Sequence, residues 1–389
     1  MTLLDQRPTE SDDRQAQALF EEARQRRQRR WLLTGITVSA VLGAAVLVLA
    51  ISHGYVGKAQ SSGGHRRPLP HVAAPTPDTA TVTSALKGPE ALAIAPNGGV
   101  LIDDQATSQI VEREPNGSFR VIAGNGHAGF AGDRGPAIAA ELNLPVGLAV
   151  GPDGTVYVAD LNNDRIRAVS PNGTISTVAY VSQPSALAVG PTGTLYVVDG
   201  VGVQTVGPNG TVSTLIAPPT TTLPEGMASD ISVAGASFAF DPDAIAVSSA
   251  GDLYVANFSP KALLRFAPNG GSATLVGSTS VYAGQTYVTR AGLDAAPDGS
   301  IVVANYGTFA LDRATGSALS VIRAFSLDSV PGVQGAFRPS GVAAAPNGQI
   351  YVDTDGENGG TNTPALIAID PDGKTNVLDV GSPPPRPNR

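Results

Sequence analysis

The chain has 389 residues, a formal net charge of −8 and 42% hydrophobic residues, with 45 glycines and 31 prolines. That hydrophobic share supports a large core, and so much glycine and proline suits turn-rich β structure. The absence of cysteine excludes disulfides, thiolate metal sites and a cysteine nucleophile, and the acidic balance does not suit nucleic acid as a partner.

Residues 1–30 hold seven arginines and six acids and are expected to form a short cytoplasmic tail. From Trp31 to Ile51 run 21 residues without a charge, WLLTGITVSAVLGAAVLVLAI. This is long enough to cross the hydrocarbon core as a helix, so a transmembrane helix is expected over residues 31–52. Arg24, Arg26, Arg27, Arg29 and Arg30 precede the span, and Lys58, Arg66 and Arg67 follow it. The excess on the N-terminal side predicts a single-pass plasma membrane protein with its N-terminus cytoplasmic and the remainder extracytoplasmic. The alternative is secretion after signal cleavage near Ala59. Residues 53–87 are rich in Pro, Gly and Ser and read as a linker, within which Thr79 to Leu86 could add a strand to the domain that follows.

Residues 88–381 are organised by twelve tight turns. Pro-Asn-Gly begins at Pro96, Pro115, Pro171, Pro208, Pro268 and Pro346; Pro-Asp-Gly at Pro152, Pro297 and Pro371; Pro-Thr-Gly at Pro191; two degenerate copies end in Gly251 and Gly316. Proline presets φ, Asn or Asp bonds its own backbone, and glycine takes the positive-φ position. The turns pair into six copies of one unit, such as LPVGLAVGPDGTVYVAD continuing through Arg165–Val169 and Thr174–Val178. Each copy predicts four short up-and-down strands. The 294 residues from Gly88 to Gly381 divide into six units of 49, close to the roughly 40–45 of a propeller blade. The fold class is therefore all-β, a six-bladed propeller, with residues 382–389 as a disordered tail. Small first strands (Leu148-Ala149-Val150) suit the axis, and Tyr157, Tyr196, Tyr254 and Tyr351 are expected to pack between blades.

Blade 2, PVGLAVGPDGTVYVADLNNDRIRAVSPNGTISTVA, resembles an NHL repeat, and the preceding IAGNGHAGFAGDRGPAIAAELNLP resembles the linker of bacterial NHL-repeat proteins. The resemblance extends over residues 88–381, and the chain is also similar to the extracytoplasmic sensor propellers of mycobacterial membrane Ser/Thr kinases, without a kinase motif. It implies a non-catalytic platform for ligand sensing or protein interaction. The alternative implied by lactonase-like six-bladed propellers is a Ca²⁺-dependent hydrolase with an axial site.

Strand alternation puts the tight turns on one face and the long connections, residues 123–144, 217–241, 277–290, 328–338 and 355–364, on the other. That long-loop face is where a protein, peptide or glycan ligand is expected. The six inner strands open there at Glu90, Val146, Ser185, Asp243, Ala291 and Ser340. Glu90, Ser185, Asp243 and Ser340 are the candidate ligand-binding residues of this axial mouth. Glu90 and Asp243 are also the candidate Ca²⁺ carboxylates, and Asp353, Asp355 and Glu357 form a second oxygen-rich candidate. Only His127 of four histidines lies in the repeat region, so a multi-histidine zinc site is not expected. Gly124, Gly126 and Gly129 match G-x-G-x-x-G without a βαβ unit and are assigned to a blade-linking loop, followed by a short helix over Ala137–Leu142. No catalytic residue and no cofactor is assigned apart from the Ca²⁺ alternative.

Overall fold

Each tight turn returns the chain antiparallel through local hydrogen bonds. Ala95 N donates to Gly99 O and Gly98 N to Ala95 O, each at 2.9 Å, and Gly151–Thr155 repeats the pattern. Asn97 Oδ1 accepts from Gly99 N at 2.9 Å and Asp153 Oδ1 from Thr155 N at 3.1 Å, the side-chain bonds expected of Asx turns. Ten turn glycines have φ between +79° and +91° and Gly316 has +60°, a region that a Cβ would strain.

The computed structural model describes residues 86–200, 202–216, 231–233, 236–238, 242–257, 262–268, 273–276, 291–305, 310–324, 339–354 and 364–380. They form six four-stranded antiparallel sheets, each made of four consecutive strands. Blade 1 is Pro89–Ile94, Val100–Asp104, Gln109–Arg113 and Phe119–Ala123; blade 2 is Pro145–Val150, Val156–Asp160, Arg165–Val169 and Ile175–Tyr180. Blade 3 is Ala186–Val189, Leu195–Asp199, Gly202–Val206 and Val212–Ile216; blade 4 is Pro242–Val247, Leu253–Asn257, Ala262–Phe266 and Thr274–Val276. Blade 5 is Ala291–Ala295, Ile301–Asn305, Ala310–Thr315 and Ala318–Ala324; blade 6 is Val342–Ala344, Ile350–Thr354, Ala365–Ile369 and Thr375–Val380.

The inner strands meet in sequence around the ring, and that of blade 6 packs on that of blade 1. Among the described residues, each blade is built of four consecutive strands, with none borrowed from the other end of the chain. Closure comes instead from apolar packing of Leu92 and Ile102 against Ala343, Tyr351 and Leu366. Leu86 N also donates to Asp379 Oδ2 at 3.3 Å, tying the entry of blade 1 to the outer strand of blade 6. Corresponding apolar layers lie between blades 1 and 2, 3 and 4, 4 and 5, and 5 and 6, for example Leu148 and Val158 with Leu101 and Ile110. Each such buried Leu or Ile contributes about 1.5–3 kcal/mol. Tyr196, Tyr254 and Tyr351 are buried in these layers, and Tyr157 is half-buried.

Three expectations are revised or fall elsewhere. The connection 217–241 carries a small hairpin, Ile231–Val233 paired with Ala236–Phe238. The helix expected over Ala137–Leu142 is only a 3-10 turn, Ala137–Ala139, because the chain from Asp133 onward is drawn along the outer strand of blade 2. There Arg134 N donates to Ile175 O at 2.7 Å and Ile175 N to Gly135 O at 3.0 Å, which covers a strand edge that would otherwise expose unpaired backbone. The transmembrane span 31–52, the tail 1–30, residues 53–85 of the linker and the tail 382–389 lie outside the described residues. Among the described residues, no helix is long and apolar enough to cross a membrane.

Candidate functional site at the axial mouth

The mouth is shaped by irregular starts of the inner strands. In blade 1 the register slips between Pro89 and Leu92, so Glu90 and Ala91 face a single residue, Asp103. Their N–H groups lose regular ladder partners, and Asp103 Oδ1 accepts both, at 3.0 and 2.5 Å. Blade 6 repeats the device. Asp353 Oδ1 accepts from Gly341 N and Ser340 Oγ, both at 2.6 Å. Asp103 and Asp353 occupy the same repeat position, which holds Ala159, Val198, Ala256 and Ala304 in the intervening blades. Both carboxyls are fully buried.

The two aspartates lie on adjacent blades at the seam of the ring. A side chain at Gly341 would put its Cβ 2.8 Å from Asp353 Oδ2 and 3.0 Å from the Glu90 carbonyl, so only glycine fits between them. Glu90 is half-buried and its carboxylate accepts from Gln105 Nε2. Burial pushes the Asp103 carboxyl well above the usual range; the neighbouring charges of Glu90 and Asp353 push the same way, against the two N–H bonds. Deeper along the axis, Asp294 replaces the alanine of other inner strands and accepts from Ala344 N of blade 6 at 2.8 Å. Burial raises it to about 6, against bonds from Ala344 and Ala295.

Of the residues expected from sequence, Glu90, Ser340 and Asp353 are gathered at this seam. Ser185 lies before the inner strand of blade 3 and bonds Val198 O through its N at 2.8 Å and its Oγ at 3.3 Å. Asp243 lies in the register slip of blade 4, across the ring, and its Oδ2 is buried with no hydrogen-bond partner. At the seam the Glu90 N–H donates to Asp103 and the Glu90 carboxylate accepts from Gln105. Asp355 and Glu357 lie outside the described residues. Among the described residues, no group of three or more His, Cys, Asp or Glu is arranged to hold a metal ion. Asp103 and Asp294 were not anticipated. The signal was present as a carboxylate at a repeat position otherwise occupied by small apolar residues.

The seam thus sets two fully buried carboxyls, each braced by short hydrogen bonds, beside the half-buried Glu90.

The family model of the Teneurin NHL domain matches residues 69–170. Teneurin-1 of Mus musculus is 36% identical over 105 residues, 23% of this chain and 4% of that protein. Teneurin-1 of Gallus gallus is 39% identical over 105 residues with the same shares. The chain thus spans about 4% of the length of these curated relatives. A solved streptogramin B lyase structure superposes with a TM-score of 0.51 at 14% identity, covering 78% of this chain and 87% of that one. Likeness at this identity is likeness of fold. The six sheets make a six-bladed β-propeller, and over residues 69–170 the chain is similar to the Teneurin NHL domain.

Proposed function

We propose that the chain is a non-catalytic binding module. Its propeller offers the axial mouth and the long connections around it to a protein, peptide or glycan ligand. Residues 31–52 hold it in a membrane, with the propeller on the extracytoplasmic side. One observation carries the reading: the mouth's carboxylates are engaged as backbone braces, Asp103 on Glu90 and Ala91 and Asp353 on Ser340 and Gly341. Groups committed in this way keep a recognition surface rigid, which reduces the ordering cost of binding.

Calcium separates this reading from a Ca²⁺-dependent hydrolase. A ligand that binds only the native state raises its melting temperature. Full-length chain in detergent is expected to melt at the same temperature with and without millimolar calcium. A clear rise that disappears in the Glu90→Gln, Asp243→Asn double variant would overturn the proposal in favour of the hydrolase.

A further inference from the structure

Four large apolar side chains are exposed among the described residues, and two of them, Phe130 (43%) and Tyr180 (72%), flank one arginine. The Arg165 guanidinium carbon lies 3.5 Å from the Phe130 ring centroid and 5.1 Å from that of Tyr180. Arg165 opens the third strand of blade 2 directly opposite Tyr180 at the end of the outer strand, so the stack stands on the long-loop face. Its base is fixed. Arg165 Nε donates to Asn163 O at 2.8 Å, and the Asn163 amide holds both Asp160 Oδ2 and Gly129 O at 2.8 Å.

Among the described residues, Arg167, which also stacks on Phe130, and three further arginines are paired with carboxylates. Arg120 pairs with Glu112 and Glu114, Arg167 with Asp133 and Asp160, Arg265 with Asp252, and Arg313 with Asp298. Among the described residues, no carboxylate forms an ion pair with Arg165, and its terminal nitrogens bond no protein group. A guanidinium held by two rings and a backbone bond is a preset fork for one carboxylate. The exposed rings beside it add the apolar contact area, and Tyr and Arg are the residue types that dominate interface energetics. The net charge of −8 and the adjacent Asp164 oppose a polyanion.

We infer that Phe130, Arg165 and Tyr180 form a docking site for a peptide segment of a partner protein that carries one carboxylate beside apolar side chains. The inference rests on the reading of the chain as a binding module and places one specific contact at the rim, away from the axial mouth. It is tested by panning a displayed random-peptide library on the full-length chain, with counter-selection on Arg165→Gln. The enriched peptide is then synthesised and titrated against the wild type, Arg165→Lys, Tyr180→Ala and Glu90→Gln. The expected result is enrichment of sequences with Asp or Glu next to an apolar residue. Affinity should fall about tenfold or more in Arg165→Lys, which keeps the charge and loses the fork, and likewise when the peptide's acid is changed to its amide. No enrichment over the Arg165→Gln chain overturns the inference. So does enrichment of peptides without a carboxylate, or self-association of the chain that Arg165→Gln abolishes. Binding that survives Arg165→Lys and Tyr180→Ala but is lost in Glu90→Gln also overturns it, while leaving the axial-mouth reading intact.

Discussion

Two buried charged clusters in this propeller are built oppositely. In blade 2, Arg167 is fully buried and its guanidinium pairs with Asp160 at 3.3 Å and Asp133 at 3.0 Å while bonding Glu141 O at 3.1 Å. It clamps the connection 123–144 to its blade with a cation between two carboxylates. At the seam of blades 6 and 1, Asp103, Asp353 and Glu90 are brought together, and no arginine or lysine is among the groups acting on Asp103. Burial dominates at both places, raising Asp160 as well as Asp103, and hydrogen-bond donors oppose it at both, but a cation, Arg167, opposes it only at Asp160. A balanced buried cluster is the pattern of a structural clamp. Carboxyls gathered in the low dielectric are costly, and such arrangements concentrate at functional sites. The contrast therefore directs attention to the seam as the place to look for ligand chemistry.

The sharpest way to break the comparison is to remove the cation. Arg167→Ala leaves Asp160 buried without its counter-charge and should cost about 3–5 kcal/mol in denaturant unfolding. A loss below about 1 kcal/mol would mean that the blade 2 cluster is not the clamp described. The seam should respond more weakly and with a different chemistry. Asp103→Ala leaves the Glu90 and Ala91 N–H groups without their acceptor and should cost about 2 kcal/mol. Asp103→Asn keeps an acceptor oxygen and removes the repulsion with Glu90 and Asp353, so it should be tolerated within about 1 kcal/mol. Asp160→Asn, by contrast, removes Arg167's buried partner and should cost more than Asp103→Asn. Equal losses in the two amide variants would erase the distinction.

A separate test is of pH dependence. An acid whose pKa is raised on folding keeps its proton in the native state over a range where the unfolded chain has lost it. Its contribution is then complete below the unfolded value and declines as pH rises through the folded one. For Asp294 that window runs from 3.8 to about 6, and for Asp103 it begins at 3.8 and extends upward. Unfolding free energies of the wild type measured between pH 4 and pH 7 should therefore fall more with rising pH than those of Asp294→Asn. Parallel curves would show that Asp294 keeps an ordinary carboxylate pKa in the fold.

Much of this architecture was legible before any coordinates, because its determinants are local. Pro-Asn-Gly and Pro-Asp-Gly carry their turn geometry within a few residues, and the positive φ of eleven turn glycines follows from it. Alternation and turn spacing then yielded four strands per unit and six units, and strand direction assigned the long connections to one face. Glu90, Ser340 and Asp353 were legible as mouth or loop candidates for the same reason: their place in the repeat is countable. Whether Glu90 and Asp243 act together was not legible in this way, because sharing a face does not by itself bring two side chains into contact.

What only the tertiary structure decided is how distant copies of the unit meet. Ring closure makes blade 1 the neighbour of blade 6, so Asp103 and Asp353, far apart in the chain, share one buried seam. The connection 123–144 becomes the cover of a strand edge and carries Phe130 to Arg165. The repeat pattern determines each blade from within, since turn chemistry and strand alternation act over a few residues. Burial, charge compensation and stacking depend on which surfaces closure presses together, and those neighbours are set by the ring rather than by any local segment.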